Sequence, residues 1–410
     1  MGGGGDTLIL RGVHLADGTT TDVRIDGSSG TISAVGAGLR PEPGDATVDL
    51  DGYLLLPAPV EPHAHLDKAF LAERIANPSG DLLGAIEAMQ AGRHTLTVDD
   101  IADRAERAVR LLVANGVTAI RSHADTMSGH GLRSVEGLVE VRRRVADLVD
   151  LQIVALMSWP VTGTAGAEHR ALLRDALAAG ADVVGGCPHL DEDPEAANEV
   201  LLEIAAGSGR RVDLHTDETL DPAVLGLRDL AARVVKSGFS HGVTASHCVS
   251  LGMQPVDVQR EVAGEVAAAG ISVVTLPQTN LFLQGRDTPV AMPRGLTAIR
   301  ALRDAGATVA GGADNLQDPF NLVGRGDPLE TAALLVMAGH LQPDEAYEAV
   351  SGASRTALGL PRVAVEPGCP AELLAVRAQT VREAIGSAPA DRVVIHRGRV
   401  VSRSRVVTEP

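Results

Sequence analysis

The middle of this chain alternates short apolar runs with amphipathic helical patterns, and this alternation restricts the fold more than any other feature. Eight apolar runs are predicted as strands, at 54–65, 117–124, 151–158, 182–188, 211–215, 242–247, 271–278 and 307–313. Helical patterns lie between them, at 101–114, 135–148, 169–179, 194–207, 222–237, 257–269 and 295–306. Repeated strand–helix units of this number are typical of an α/β fold, the (β/α)8 TIM-type barrel. A doubly wound open sheet also alternates, but no glycine-rich phosphate fingerprint follows the first strand.

The two ends of the chain show a different sequence pattern, in which short predicted strands are separated by glycine-containing turns. This pattern predicts one small β-sandwich domain built from both termini. We therefore expect residues 1–57 and 363–410 to form the composite β-sandwich and residues 58–362 to form the barrel.

Charge and cysteine content exclude several classes of partner. Lys and Arg number 36 against 53 Asp and Glu, a net charge of −17, which disfavours nucleic acid and anionic membranes. No apolar run approaches the roughly 18–20 residues that cross a bilayer. The three scattered cysteines (Cys187, Cys248 and Cys369) suit a reducing cytosol, and the start lacks the segments of a secretion signal. We predict a cytoplasmic protein whose partner is a small molecule and not nucleic acid or a membrane. The formation of a homo-oligomer is possible and is not decided by the sequence.

Polar groups follow the predicted strands where an active site of a barrel would lie, at the strands' C-terminal ends. His63 and His65 end the first strand, and their two-residue spacing puts both imidazoles on one face. Alone, this pair is as typical of ordinary strand-end histidines as of a metal site. The other strands add His123 and Asp125 after strand two, His215 after five, His247 after six and Asp314 after eight. Together these strand ends predict metal binding.

Imidazoles combined with a carboxylate favour one divalent ion. Three imidazoles and one carboxylate hold a single Zn2+ or Fe2+ and leave room for water, whose pKa the ion lowers to about 7. Strand four ends in Cys187-Pro-His189, without a Lys or Glu to bridge a second ion. Glu218 follows His215 by three residues, where a carboxyl can act as a proton shuttle or simply favour a helix N-terminus.

These motifs resemble the amidohydrolase superfamily, and within it the cytosine deaminase-like branch. The resemblance covers nearly the whole chain. It is carried by Leu54-Leu-Leu-Pro-Ala-Pro-Val-Glu-Pro-His63-Ala-His65-Leu-Asp67, Arg121-Ser-His-Ala-Asp125, Leu151-Gln-Ile-Val-Ala155, Asp213-Leu-His-Thr-Asp-Glu218, Val243-Thr-Ala-Ser-His247, Asn280-Leu-Phe-Leu-Gln-Gly-Arg286 and Asp314-Asn-Leu-Gln-Asp-Pro-Phe320. His-x-Asp-Glu and Ser-His are specific to the branch, whereas His-x-His marks only the superfamily.

The resemblance implies a complete set of roles. His63, His65, His215 and Asp314 would hold one Zn2+ or Fe2+, and Asp314 would also take a proton from the attacking water. Glu218 would protonate the adjacent ring nitrogen, and His247 would steer and polarise the nucleophile. The amine would then leave as ammonia.

Several positions depart from the cytosine deaminase pattern, so cytosine itself is not the expected substrate. Ser158 stands where that enzyme carries a glutamine that reads the pyrimidine amide edge, and a hydroxyl cannot make the paired contact of an amide. Asn315 replaces an aspartate, and Phe320 replaces a tryptophan. We expect all three side chains to contact the substrate.

Three further residues are candidates for the pocket wall. Lys68 follows the His-x-His motif and is similar to the position in enzymes that strip alkylamines from triazines, such as N-isopropylammelide isopropylaminohydrolase; it could equally form a wall salt bridge. Gln284 and Arg286 either line the pocket or fix the loop after strand seven.

The predicted function is a metal-dependent deaminase that replaces the exocyclic amino or imino group of a pyrimidine-, triazine- or cyclic-guanidine-like heterocycle by oxygen. One alternative is a ring amidohydrolase or alkylamine-releasing aminohydrolase with the same centre. A non-catalytic metal-retaining protein is a third hypothesis, disfavoured by the intact pair of Glu218 and His247.

Overall fold

The computed structural model describes residues 7–407, whose strands form two separate sheets. In chain order the strands are β1 (Leu8–His14), β2 (Thr20–Asp26), β3 (Thr31–Gly36), β4 (Ala46–Asp49), β5 (Leu54–Pro57), β6 (Val60–Ala64), β7 (Ala119–Thr126), β8 (Asp150–Met157), β9 (Val183–Gly186), β10 (Arg211–Thr216), β11 (Val243–His247), β12 (Ser272–Thr275), β13 (Val309–Gly311), β14 (Leu373–Val376), β15 (Arg392–His396) and β16 (Arg399–Ser404). The α-helices are α1 (Leu82–Gly92), α2 (Val98–Ala114), α3 (Arg133–Arg144), α4 (Ala167–Ala179), α5 (Pro194–Ser208), α6 (Gly226–Ser237), α7 (Val256–Ala268), α8 (Pro277–Leu283), α9 (Ile299–Asp304), α10 (Pro328–Met337), α11 (Pro343–Val350), α12 (Gly352–Leu358) and α13 (Val381–Ser387).

Strands β6 to β13 form the barrel predicted from the alternation. They neighbour one another in sequence order and pair in parallel. The backbone N–H of Asp314, just after β13, donates to the carbonyl of His63 in β6 at 3.0 Å. Because this contact joins the first and last strands, two predicted metal ligands also close the barrel, and the predicted fold class is confirmed.

Helix α5 shows how local chemistry sets the elements around the barrel. The Asp193 side chain accepts a hydrogen bond from the Ala196 backbone at 3.0 Å, and Pro194 occupies the first turn, where its missing N–H costs nothing. Gly209 ends the helix in the left-handed conformation, at φ 63°. With both end signals in the sequence, the predicted range of 194–207 lies within one residue of the observed helix.

Strands from both termini form the second sheet, in the order β16-β15-β14-β5-β1-β2-β3, with β4 beside β1. The side chains of β14 alternate: Leu373 and Ala375 join the core of this sheet, whereas Leu374 and Val376 join the core of the barrel. The β-rich unit expected from both ends is therefore present as one continuous mixed sheet, attached to the barrel through a buried face. Its assignment as a separate domain, with boundaries at 57/58 and 362/363, stays a prediction.

The predicted first strand, 54–65, is divided in the structure. Residues Leu54–Pro57 pair with β14 in the terminal sheet, and Val60–Ala64 pair with β7 in the barrel. Prolines at 57 and 59 lack the backbone N–H that a continuous ladder needs, so the run breaks between them. The continuous apolar pattern therefore predicted one strand where the structure has two strands in different sheets.

Several helices differ from the expectations. Helix α6 begins at Gly226 rather than 222, α3 ends at Arg144 rather than 148, and α9 is shorter than the predicted 295–306. Helices α1, α8 and α10 to α13 were not predicted. Over residues 7–407, no helix has the length and apolar character needed to cross a membrane.

Candidate metal centre and active site

Four predicted ligands meet at the C-terminal mouth of the barrel. His63 and His65 come from β6, His215 from β10, and Asp314 follows β13. Their exposed fractions are 0%, 6%, 5% and 3%. Asp314 adopts a positive φ of 66°, a conformation uncommon for a residue with a side chain and one that clusters at functional sites.

The side-chain atoms of His63, His65 and Asp314 lie close enough to share one ion, and His215 adjoins this group through His65. Nε2 of His65 lies 3.1 Å from Nε2 of His215 and 3.3 Å from Oδ1 of Asp314, which lies 3.6 Å from Nε2 of His63. Two ligands each about 2.1 Å from a common ion at a tetrahedral angle are about 3.4 Å apart. Nε2 of His63 and Oδ1 of Asp314 are buried without a hydrogen-bond partner, so the donor set fits a divalent cation.

The protonation state of these histidines favours metal binding. Burial, followed by nearby histidine and lysine charges, holds the pKa values of His63, His65 and His215 well below their usual range, which leaves the rings neutral. However, Nζ of Lys68 lies 3.0 Å from Nδ1 of His65. Because an ammonium only donates, the hydrogen of neutral His65 then lies on Nε2, toward His215. Binding an ion through Nε2 requires the tautomer with the hydrogen on Nδ1, and Lys68 must then turn away from this nitrogen.

His123 is a further candidate ligand that the predicted set did not include. It is 0% exposed, and both ring nitrogens lack hydrogen-bond partners. Atoms of His63, His123 and His215 lie within 4.8 Å of one another, as do those of His63, His65 and Asp314. The described residues therefore offer two overlapping groups of ligands. The signal was visible in the sequence as a histidine at the end of strand two.

His247 lies beside the ligands with a defined hydrogen position. The Asn280 amide nitrogen donates to the carbonyl of Gly295 at 2.7 Å, which directs its Oδ1 toward Nδ1 of His247, 3.0 Å away. Nδ1 must therefore carry the hydrogen, and Nε2 keeps its lone pair 3.8 Å from Oδ2 of Asp314. Burial lowers the pKa of His247 to about 3, so this nitrogen is a neutral acceptor.

Glu218 is a buried carboxyl that is suited to carry a proton. Burial raises its pKa to about 8, and Oε1 lies 3.5 Å from Nδ1 of His247. Burial, then the charge of Glu218, raises the pKa of Asp314 well above its usual range. Without a cation, two carboxyls that favour protonation and a neutral histidine thus share one cavity; a bound divalent ion would favour the carboxylate form of Asp314.

This cavity encloses about 740 Å3 including its mouth and contains most of the predicted substrate residues. Lys68, Ser158, Asn315 and Phe320 all line it. The Asn315 amide donates to Oδ2 of Asp318 at 2.8 Å, which restricts its orientation. Apolar and aromatic side chains complete the wall, including Leu82, Ile86, Met89, Met127, Leu156 and Trp159. A planar ring fits such a lining.

Lys68 lines the cavity and also forms the salt bridge that the sequence left open. Nζ lies 2.6 Å from Oδ1 of Asp125 and 3.7 Å from Oδ1 of Asp67, and Arg93 approaches the other oxygen of Asp125 at 3.4 Å. Burial alone would lower the pKa of Lys68, but the two aspartates outweigh it and raise the value. The lysine is a buried, paired cation.

Gln284 and Arg286 lie outside the cavity lining. The Gln284 amide faces the backbone carbonyl of Glu218 at 3.4 Å, and Arg286 donates to the carbonyl of Phe282 at 2.7 Å on the surface. Of the two alternatives offered by the sequence, these contacts favour the one in which Gln284 and Arg286 fix the loop after strand seven.

Comparison with known proteins gives a consistent family. The model of the amidohydrolase family matches residues 71–402. A pterin deaminase from Rhizobium rhizogenes (strain K84) is 36% identical over 369 residues, covering 88% of this chain and 83% of the relative. The 5-methylcytosine deaminase of Klebsiella pneumoniae, solved with 5-fluorocytosine, is 30% identical with a TM-score of 0.87, covering 98% of this chain and 99% of that one. The N-isopropylammelide isopropylaminohydrolase of Burkholderia multivorans is 31% identical with a TM-score of 0.84, covering 97% and 98%.

Proposed function

This chain belongs to the amidohydrolase family, and we propose that it is a deaminase with one divalent metal ion that releases ammonia from an amino-substituted nitrogen heterocycle. The observation that carries the proposal is that two overlapping ligand groups, His63-His65-Asp314 and His63-His123-His215, lie at one barrel mouth, where Glu218 and His247 line the cavity beside them. Such a set combines ligands for a cation with separate proton carriers.

The metal would be held by His63, His65, His215 and Asp314. When bound, a Zn2+ or Fe2+ ion supplies Lewis acidity and makes a water nucleophilic near neutral pH. The donor set of imidazoles and one carboxylate suits either metal. The overlapping group that contains His123 makes the choice of ligands testable.

The proton transfers follow from the positions of three side chains. Glu218, protonated near neutral pH, donates its proton to the ring nitrogen next to the carbon under attack. Asp314 accepts a proton from the attacking water and passes it to the departing amine. His247, neutral with a free Nε2, orients the nucleophile by accepting its hydrogen bond. The C–N bond to the exocyclic nitrogen then breaks and ammonia leaves, while the hydrogen of the newly added hydroxyl returns to Glu218, so that a ring carbonyl and a protonated Glu218 remain.

A two-ring aminoheterocycle of the pterin type is the substrate we favour. The relative that is 36% identical is named for pterin deamination. The short Ser158 leaves room along the wall and cannot make the paired amide contact that would select cytosine. The apolar walls contributed by α1 and Phe320 suit the faces of a planar bicyclic ring.

Release of an alkylamine is the second candidate, favoured by the likeness to N-isopropylammelide isopropylaminohydrolase. The same centre would break a C–N bond to a substituted nitrogen. Mass spectrometry of the products separates the hypotheses, because loss of ammonia, loss of an alkylamine and ring opening give different masses.

The test is an ammonia assay on the purified protein, loaded with Zn2+ or Fe2+ and offered pterin, cytosine, 5-methylcytosine and aminotriazines. We expect turnover to be fastest with pterin and about a hundredfold or more slower in Glu218→Gln. Absence of ammonia release with every compound and both metals would refute the deaminase proposal.

We also infer a cytoplasmic location, supported by three free cysteines spread over the described residues. A small-molecule substrate is the partner we propose, and whether the chain forms a homo-oligomer is left to experiment.

A further inference from the structure

Behind His63, a chain of buried polar groups leads into the barrel interior. Nδ1 of His63 lies 2.9 Å from Oγ of Ser246, and this hydroxyl lies 3.1 Å from Oδ1 of Asp213. Oδ2 of Asp213 accepts a hydrogen bond from Nη1 of Arg121 at 2.8 Å. All four side chains are 0% exposed. Bulk solvent therefore does not reach these four side chains.

The direction of each hydrogen bond follows from the chemistry of the groups. A carboxylate only accepts, so the single hydrogen of the Ser246 hydroxyl points to Asp213. The Ser246 oxygen then accepts from His63, whose hydrogen must lie on Nδ1. A neutral imidazole carries one hydrogen, so Nε2 is left with its lone pair. This is the nitrogen that is buried without a partner, 3.6 Å from Oδ1 of Asp314.

We propose that Ser246, oriented by Asp213 and Arg121, is a positioning residue that fixes His63 in its metal-binding tautomer. The inference rests on the metal centre of the proposed function and deepens it. Metal-ligating histidines usually donate their second nitrogen to an outer partner, which orients the ring and raises its basicity. Here that partner is a hydroxyl whose own hydrogen is directed elsewhere.

Arg121 holds the far end of this chain rigidly. Its guanidinium also donates to Oε1 of Gln152 at 2.8 Å and 3.0 Å, and to Oγ1 of Thr244 at 3.1 Å. Residues of four barrel strands, β7, β8, β10 and β11, thus fix the carboxylate that orients Ser246. A guanidinium with several fixed acceptors cannot rotate without breaking them all, so Asp213 stays oriented.

The neighbouring histidines meet different partners at Nδ1. His247 donates to the Asn280 amide, and Nδ1 of His65 faces the ammonium of Lys68. Of these three histidines, His63 is the one whose Nδ1 meets a hydroxyl, that of Ser246, which itself donates to the carboxylate of Asp213. A change at Ser246 should therefore act on this ligand in particular.

The experiment compares zinc affinity in wild type, Ser246→Ala and Ser250→Ala. Ser250 is a matched control, because it is the same residue type just after the same strand, is also 0% exposed, and its hydroxyl has no hydrogen-bond partner among the described residues. Affinity is measured by competition with a chromogenic chelator, and folding by thermal melting. We expect Ser246→Ala to bind zinc about 10- to 100-fold more weakly, and Ser250→Ala to remain within about threefold of wild type.

Equal zinc affinity in Ser246→Ala and wild type would overturn the inference while leaving the proposed function intact. Wild type that binds no metal would instead refute the proposed function. A neutron structure of zinc-loaded wild type tests the same point without any variant. It should show deuterium on Nδ1 of His63 and the Ser246 hydroxyl directed at Asp213; a hydroxyl directed at His63 would contradict the proposal.

Discussion

The floor and the rim of the cavity are built in different ways. We define the floor as His63, His65, His215 and Asp314, which lie in strands or directly after them and are at most 6% exposed. We define the rim as Ile86, Arg93, Ser158 and Phe320, which are half-buried on α1 and in loops. Strand register determines where the floor residues meet, whereas loop conformation determines the rim.

This difference separates the chemistry from the choice of substrate. Floor residues are buried and lie in the barrel strands or directly after them, so their geometry is held within narrow limits. Rim residues can change without disturbing the barrel, because loops tolerate substitution. Related enzymes of this family can therefore keep one reaction centre and act on different rings.

The largest effect is expected from the floor. His215→Asn removes one proposed ligand, so we expect zinc content to fall below half of the wild-type value and kcat/KM to fall at least about 1,000-fold, more than for an outer partner. Metal analysis and steady-state kinetics measure both. The same substitution at the exposed His241 should change neither; a fully active His215→Asn enzyme would contradict the ligand assignment.

A smaller loss of activity is expected when the floor keeps its ion but the cavity loses Glu218, the proposed proton donor. Glu218→Gln preserves shape and hydrogen bonding, so zinc content should equal that of wild type. We expect kcat to fall about 10²- to 10⁴-fold, the range of general acid catalysis. If zinc content fell together with kcat, Glu218 would belong with the ligands rather than the proton carriers.

The pH profile sharpens the role of the same residue. Burial raises its pKa to about 8, and the proposed role as proton donor requires the protonated form. kcat/KM should therefore be highest below this pKa and fall about tenfold per pH unit above it. A bound divalent cation favours the carboxylate, so it moves the falling limb to lower pH without removing it. Rates between pH 5.5 and 9.5 test this, and Glu218→Gln should lack the limb.

A substitution in the rim should have the smallest effect on activity, and it should change KM rather than kcat. Phe320→Ala removes the apolar contact that we propose substrate and transition state share, so KM should rise about tenfold while kcat stays within about threefold. Zinc content should not change. A large fall in kcat with constant KM would mean that the rim takes part in the chemistry, and the division between floor and rim would fail.

Sequence reasoning was strongest where strand ends decide the position of a residue. His63, His65, His215 and Asp314 each follow an apolar run, and parallel strands of a closed barrel bring such ends together. The position of Gln284 could not be predicted from a strand end. Strand seven ends at Thr275, and the short helix α8 follows it, so that the Gln284 amide faces the backbone carbonyl of Glu218 instead of the cavity.

The rim was less predictable for a physical reason. Helix α1 contains two glycines and is apolar around much of its surface, so it lacks the one-sided pattern of a surface helix. Its position over the cavity depends on tertiary contacts, as does that of Arg93 after it. The division of the first predicted strand at Pro57 and Pro59 could not be predicted from hydrophobicity either, because both sheets bury the same kind of apolar residue.

The central claim, one divalent ion held by these floor residues, is tested most directly by anomalous diffraction at the zinc edge on zinc-loaded crystals. The account predicts one strong peak per chain within about 2.3 Å of His63, His65, His215 and Asp314. A peak between His63, His123 and His215 without Asp314, or no peak at this barrel mouth, would contradict it.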